Sequence, residues 1–175
     1  MPVIMPFGKY GSAIKGDAAL SVEQLALKDY TYFKYIIAKV KYGELKERFD
    51  FVNFVANNFV SEEDCNQCEA PAKYISIWNS NMGTNPYNNR PITSRTSSKN
   101  FIYCSINHFK SDSNVGEKAE LRELQFDSTL SETKQNTNNL VKIVAECLGI
   151  IPKQRYTKEA LERIFNEAKT YRSFI

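Results

Sequence analysis

The chain has 175 residues, of which 42% are hydrophobic and 13% aromatic, so it can bury one core, with or without a small appendage. Its formal net charge of +3 does not by itself require a polyanionic partner. Residues 1–8 are too short and too interrupted by proline and glycine for a signal peptide, and the longest apolar-leaning stretch, 30–40, is far below membrane-spanning length. We therefore expect a cytoplasmic, intracellular protein without membrane contact, in which reduced thiols favour metal binding over disulfides.

The N-terminal third predicts helices that build a core. Ser21 and Gln24 form a capping-box pattern that opens a first short helix, and Asp29 can cap a second. Apolar residues at helical spacing continue after Gly43, which indicates a third helix. The predicted elements are a strand at 3–7, a turn at 8–11, and helices ending near 27, spanning 30–40 and beginning at 44.

The middle of the chain has the residue pattern of strands and a polar loop rather than of helices. Residues 73–78 alternate as in a strand, and residues 101–104 predict a returning strand. Between them, residues 79–100 are rich in Asn, Ser, Thr and Pro, which predicts a long, mobile loop. A short helix or strand is expected within 119–126.

The C-terminal part predicts a linker and two helices. Residues 128–139 are rich in Ser, Thr, Asn and Gln, as linkers are. An apolar face from Leu140 to Leu148, ended by Gly149, and a second face capped by Thr157 indicate a helical hairpin. We predict an α+β fold, in which N-terminal helices pack on a small antiparallel sheet. The expected units are a zinc-stapled domain at 1–127, a linker at 128–139 and the hairpin at 140–175.

Four residues form the pattern of a metal site. Cys65 and Cys68 make a CxxC pair, and Cys104 and His108 a CxxxH pair, in which His108 is the only histidine of the chain. Zinc prefers four such ligands in a tetrahedron, and ligand pairs close in sequence assemble that geometry readily. Two alternatives remain open: a redox-active CxxC pair, and Cys104 and His108 as unrelated core residues. Cys147 lies on an apolar helix face and is interpreted as a small buried hydrophobe.

The same ligand set favours a structural zinc over a catalytic one. Four protein ligands leave no coordination position for an activated water. With the only histidine assigned to the metal, no Ser-His-Asp or Cys-His set remains, and no phosphate-binding glycine motif is present. We therefore expect a protein that is not an enzyme and has no small-molecule substrate. A metal-dependent enzyme with an open zinc site is the least favoured alternative.

The stretch from Ala70 to Lys110 is basic and aromatic. It holds five Lys or Arg residues and no Asp or Glu, although the whole chain is nearly neutral. Cations contact phosphates and aromatic rings stack on bases, so this composition suits a nucleic-acid strand. In the alternative interpretation the rings, Trp78 and Phe101 among them, pack on the helices, and the loop cations are merely solvated.

A short N-terminal motif resembles a known module. Residues 5–11, Met-Pro-Phe-Gly-Lys-Tyr-Gly, are similar to the PFGKYKG motif of small bacterial and phage proteins of unknown function, which also occurs beside exonuclease X-type 3′–5′ exonuclease domains. The helix that follows the motif in that family has a counterpart in residues 25–37, whereas the second lysine of the motif is displaced to Lys15. The resemblance implies a nuclease-accessory role. The turn itself could hold a phosphate through Lys9, or could be a purely structural hairpin.

A second, weaker resemblance lies near the C-terminus. Residues 140–150 followed by 157–164 are similar to the helix-extension-helix of SAP-like and Rho N-terminal-like modules. That resemblance implies nucleic-acid contacts by the basic residues of the segment, Arg163 included.

Together these patterns predict a zinc-stabilised nucleic-acid-binding or nuclease-accessory protein, with DNA or RNA as its partner. The rival hypothesis is a protein-interaction module or small inhibitor, such as one encoded by a phage, that docks on a host protein. The candidate nucleic-acid-binding residues are Lys9, Lys73, Arg90, Arg95, Lys99, Lys153, Arg155 and Lys158.

Overall fold

The computed structural model describes residues 1–116, 118–130 and 133–175, and it confirms the predicted α+β class. Seven α-helices and one small antiparallel sheet are formed by these residues. The helices are α1 Ser12–Lys15, α2 Val22–Lys28, α3 Tyr30–Ile37, α4 Glu44–Asn58, α5 Ile106–Ser111, α6 Lys134–Cys147 and α7 Lys158–Glu167. The strands are β1 Tyr74–Thr84, β2 Pro91–Thr96, β3 Ile102–Tyr103 and β4 Glu120–Glu123.

Three predicted helix starts, those of α2, α3 and α7, are confirmed, and each depends on a local hydrogen bond. The Ser21 side chain accepts from the Gln24 amide while the Gln24 side chain accepts from the Ser21 amide, which completes a capping box. Asp29 caps α3 by accepting from the amide of Tyr32, and Thr157 caps α7. Helix α3 ends at Ile37, three residues before the predicted end.

Strand β1 is the centre of the sheet. Its first residues pair with β3 and with β4, and its second half pairs with β2. Ile75 and Ile77 are fully buried and face the helices, where the buried cluster includes residues of α2, α3, α4, α6 and α7. The sheet therefore has one face on the core and a second face toward the segments that follow β3.

Two sequence predictions differ from the structure, one in the middle of the chain and one at the N-terminus. Residues 79–96 are a β-hairpin, formed by the second half of β1 and by β2, where a loop over 79–100 was predicted. Its side chains from 81 to 93 are almost all exposed, so no apolar alternation marks the strands in the sequence. At the N-terminus, the predicted strand 3–7 is reduced to a single bridge between Ile4 and Ser21.

The predicted linker also differs from the structure. Helix α6 begins at Lys134, inside the range 128–139, while Thr129 and Thr137 are buried. Helix α6 packs on α2 and α3, and α7 packs on α2. The chain after α7 returns to the end of α4, where the amide of Val60 donates to the carbonyl of Lys169. The helices of the predicted C-terminal helical hairpin therefore pack in the same core as the N-terminal helices. Residues 131 and 132 of the predicted linker lie outside the described residues.

No helix of the described residues has the length and apolar character that crossing a membrane requires.

Candidate metal centre

The CxxC turn lies between α4 and β1 and is held by backbone hydrogen bonds. The amide of Cys65 donates to the carbonyl of Ala70 over 2.8 Å, and the amide of Cys68 donates to the carbonyl of Cys65 over 3.2 Å. The amide of Asn66 donates to the carbonyl of Ile102 in β3, also over 2.8 Å. This last bond fixes the turn against the strand that delivers the second ligand pair.

Cys104 and His108 are joined by the first turn of α5. Cys104 directly follows β3, and Ser105 caps α5 by accepting from the amide of His108 over 3.2 Å. A helix brings residues at this spacing to one face, so the cap places the imidazole beside the Cys104 thiol. His108 Nδ1 lies 3.2 Å from Cys104 Sγ and 3.5 Å from Cys65 Sγ.

The four predicted ligands therefore meet in one place. Cys68 Sγ lies 3.6 Å from Cys104 Sγ, and all four ligand atoms lie within 4.8 Å of one another. A tetrahedral ion with metal–sulfur bonds of about 2.3 Å and metal–nitrogen bonds of about 2.0 Å separates two sulfurs by about 3.8 Å, and sulfur from nitrogen by about 3.5 Å. Because the observed separations are close to these values, the four residues fit a metal ion.

The pKa values of two of the thiols are shifted in opposite directions. Burial raises the pKa of Cys65, but hydrogen bonds from the Gln67 and Cys104 amides and from His108 outweigh it and lower that pKa to about 6. Desolvation and the neighbouring sulfurs of Cys68 and Cys65 raise the pKa of Cys104 to about 11. Thiolates are the metal-binding form of cysteine, and the site thus stabilises one thiolate at the expense of its neighbour. A bound cation would relieve the repulsion among the sulfurs.

Asp112 forms hydrogen bonds to residues next to the metal ligands, and the sequence analysis did not predict this role. Its buried carboxylate accepts from Tyr103 Oη over 2.7 Å and from Asn66 Nδ2 over 3.0 Å, as well as from the amide of Asn114. These bonds, with that of Asn114 first, lower the pKa of Asp112, while burial and the same carboxylate raise the pKa of Tyr103. Asp112 thereby links the CxxC turn, β3 and the end of α5. Its position just after a helix carries no sequence signal for this role.

Cys147 is separate from the centre. It is fully buried in the hydrophobic core on α6, and burial raises its pKa to about 12. This agrees with its interpretation as a small buried hydrophobe.

The structure does not gather the eight candidate nucleic-acid-binding residues into one cluster of contacts. Three of them pair with acidic groups: Lys9 with Asp29 at 2.8 Å, Arg95 with Glu120, and Lys99 with Glu63 at 3.5 Å. Lys73 lies over the ring of Tyr171, and Lys158 donates to the carbonyl of Asp17. Among the described residues, the side chains of Arg90, Lys153 and Arg155 have no ion pair, hydrogen bond or ring contact.

The side chains of the turn that carries Lys9 are engaged in contacts within the protein. Lys9 Nζ and Tyr10 Oη each lie 2.8 Å from Asp29 Oδ2, and Lys9 also lies over the rings of Tyr10 and Tyr32. Gly8 has a positive φ of 75°, and a Cβ there would collide with the hydroxyl of Tyr32. These contacts give the glycine-bearing turn a structural purpose, whether or not it also meets a phosphate.

No family model matches this chain, and no curated protein or solved structure is significantly similar to it. The resemblances to the PFGKYKG module and to helix-extension-helix modules therefore stay predictions.

Proposed function

We propose that the protein binds nucleic acid through its β1–β2 hairpin, that its metal is zinc, and that the zinc is structural. The hairpin of residues 79–96 is the observation that carries the first part of this proposal. Its strand β2 contacts α6, while its tip is exposed, with Tyr87 96% exposed at the turn and Arg90 exposed beside it. No carboxylate occurs in the sequence from Ala70 to Lys110.

The exposed, basic tip of the hairpin is better suited to contact a polyanion than to pack in a hydrophobic core. An antiparallel two-stranded ribbon has the width of a major groove, and an exposed tyrosine can stack on an unpaired base. Arg90 can contact a phosphate, whereas Arg95 pairs with Glu120 and donates across the strands to the side chain of Asn79. The proposal therefore shifts the expected contact from the whole basic stretch to the tip of the hairpin.

Zinc is the metal that this ligand set favours. Three sulfurs and one imidazole nitrogen are soft or borderline donors, and their spacing suits a tetrahedron. Four protein ligands fill that tetrahedron, so the ion would tie the CxxC turn to β3 and α5 without taking part in a reaction. On this basis we propose an accessory, non-enzymatic role.

The binding claim can be tested by fluorescence anisotropy with labelled 20-mers of single-stranded DNA, duplex DNA and RNA. We expect binding that weakens steeply between about 50 and 200 mM salt. Arg90→Ala should weaken it about fivefold and lower the salt slope by about 1. Lys41→Ala is the matched control, since it removes one exposed charge elsewhere. Absent or salt-independent binding to all three probes would contradict the proposal.

A protein partner is the second candidate, and one observation favours it. Met82 and Ile92 are 65% and 44% exposed on the same hairpin as Tyr87. Exposed apolar side chains on a projecting ribbon are typical of docking surfaces. Capture of a partner that survives nuclease treatment and is lost in Met82→Ser would favour this candidate over nucleic acid.

A further inference from the structure

A cavity of about 530 Å³ opens at the base of the hairpin, on the face of the sheet away from the core. Side chains alternate along a strand, so the buried Ile75 and Ile77 face the helices while Ser76 and Trp78 face the cavity. The other described walls are supplied by Phe101 and by five residues that follow α5, namely Asn114, Val115, Gly116, Lys118 and Ala119. Its volume falls within the range of about 300–1,000 Å³ that is typical of small-ligand sites.

Two aromatic rings belong to the apolar lining of this cavity. The rings of Trp78 and Phe101 meet edge to face, with centroids 5.0 Å apart and an angle of 74° between their planes. Both side chains are only partly buried, so ring surface remains open to the cavity. Open aromatic surface beside polar groups is what planar heterocycles bind.

Ser76 points to a ligand with a hydrogen-bonding edge. Its side chain is fully buried, yet its Oγ has no hydrogen-bond partner in the part of the chain that the structure describes. A buried hydroxyl without a partner is unfavourable, and native proteins rarely leave one unless a water or ligand completes it. The hydroxyl can donate to a ring nitrogen or accept from an exocyclic amine.

Among the described lining residues, the one charged side chain is a cation. Lys118 is exposed, and its ammonium has no ion pair within residues 1–116, 118–130 and 133–175. Asn114 adds an uncharged polar group, and the described lining residues include no carboxylate. A ligand with a planar polar ring and an attached phosphate matches this combination of walls.

We propose that the cavity binds one unstacked nucleobase, with its ring against Trp78, its edge at Ser76 and its phosphate toward Lys118. This inference rests on the proposed nucleic-acid binding and extends it: the strand must be single-stranded where it passes the base of the hairpin. Bases that are splayed out of a strand are commonly held by aromatic stacking and by hydrogen bonds to their edges.

The chain itself supplies a probe, because Trp78 is its only tryptophan. We would titrate the full chain with adenosine and uridine monophosphates and with single-stranded and duplex DNA 10-mers, and follow tryptophan emission. Ribose 5-phosphate is the ligand control, since it has the phosphate but no base. Quenching by the mononucleotides and the single strand, with none by ribose 5-phosphate and little by the blunt duplex, is expected.

Matched variants separate a binding role from a folding role. Ser76→Ala removes the unpartnered hydroxyl and should leave thermal stability unchanged or higher, while it weakens binding of the better mononucleotide about fivefold. Ser80→Ala is the control, since Ser80 lies on the same face of β1 but outside the cavity. Lys118→Ala should weaken the monophosphate more than the corresponding nucleoside.

The outcomes distinguish this inference from the function on which it rests. If labelled oligonucleotides bind by anisotropy but tryptophan emission does not change, and Ser76→Ala behaves as Ser80→Ala does, the nucleobase site is overturned and hairpin binding stands. If no oligonucleotide binds, the proposed function fails. In that case quenching by mononucleotides that Ser76→Ala weakens would keep the cavity as a nucleotide site, and its absence would overturn the cavity too.

Discussion

Lys134 Nζ lies 2.6 Å from Oδ2 of Asp29, so the start of α6 is tied to the cap of α3, 105 residues earlier in the chain. The Asp29 side chain is fully buried and accepts from Lys9 and Tyr10 as well. One carboxylate therefore joins the glycine-bearing turn, α3 and α6. Sequence analysis identified Asp29 only as a helix cap.

Asp29→Asn should lower the free energy of unfolding by about 2–3 kcal/mol, because the charge-assisted bonds from two ammonium groups are lost. Asparagine still caps a helix well, so the substitution isolates the charge. Urea unfolding measures the difference. Asp50→Asn is the control: Asp50 pairs with Lys46 at the surface of α4, and its loss should change stability by less than about 0.5 kcal/mol. Equal effects of the two substitutions would contradict this role.

The contribution of Asp29 should also depend on pH. Burial alone raises the pKa of Asp29, but hydrogen bonds from Lys134, Lys9 and Tyr10 lower it to about 2, from 3.8 in the unfolded chain. A lowered folded-state pKa gives stability that is present above pH 3.8 and is lost as the pH falls toward 2. The stability difference between wild type and Asp29→Asn should therefore shrink across that window. A difference that stays constant from pH 6 to about 2 would argue against the ion pairs.

Gly8 should tolerate a side chain less well than Gly16. Both have positive φ, at 75° and 53°, but only at Gly8 would a Cβ meet another group, the Tyr32 hydroxyl. Gly16→Ala should cost about 1 kcal/mol from backbone strain alone. Gly8→Ala should cost about 2–3 kcal/mol, since Tyr32 must move as well. Thermal unfolding of both variants checks the order, and a Gly8→Ala as stable as Gly16→Ala would show that the turn yields freely.

The sequence predicted best those features that depend on neighbouring residues. The Ser21–Gln24 capping box and the Asp29 and Thr157 caps rest on short spacings with a single favourable geometry, and so does each ligand pair of the metal cluster. The convergence of the two pairs, with Cys68 and Cys104 36 residues apart, followed instead from the preference of zinc for four such ligands. The fold class followed from the alternation at 73–78 and from the helical stripes around it. The metal cluster is thus the functional feature that pattern alone located.

The sequence predicted poorly those elements that have no apolar face. Most side chains of residues 79–96 are exposed, so the strands show no apolar alternation. Their local signals are Asn side chains that accept from amides two residues on, at Asn81, Asn85 and Asn88. Those Asx turns, with the Asn85-Pro86 step, could have indicated a hairpin. The polar start of α6 was predicted to be a linker because its composition is polar. The contact of Lys134 with Asp29 joins residues 105 positions apart, so the local sequence gives no sign of it.

Cys147→Ser and Cys104→Ser make the same chemical change in two environments. Cys147 is buried in the core, so its substitution should lower stability by about 1–2 kcal/mol without changing metal content. Cys104→Ser should release the metal and lower stability by more, because the CxxC turn loses its tie to β3 and α5. Chemical unfolding with and without a chelator compares them. Chelator sensitivity that is retained in Cys104→Ser would assign the metal to other residues.

Elemental analysis of the purified protein tests the central claim most directly. The account predicts about one zinc per chain in wild type and in Cys147→Ser, and a loss of most of it in Cys104→Ser and in His108→Ala. A wild-type chain without metal that unfolds identically with and without added zinc, or full zinc content in both ligand variants, would contradict it.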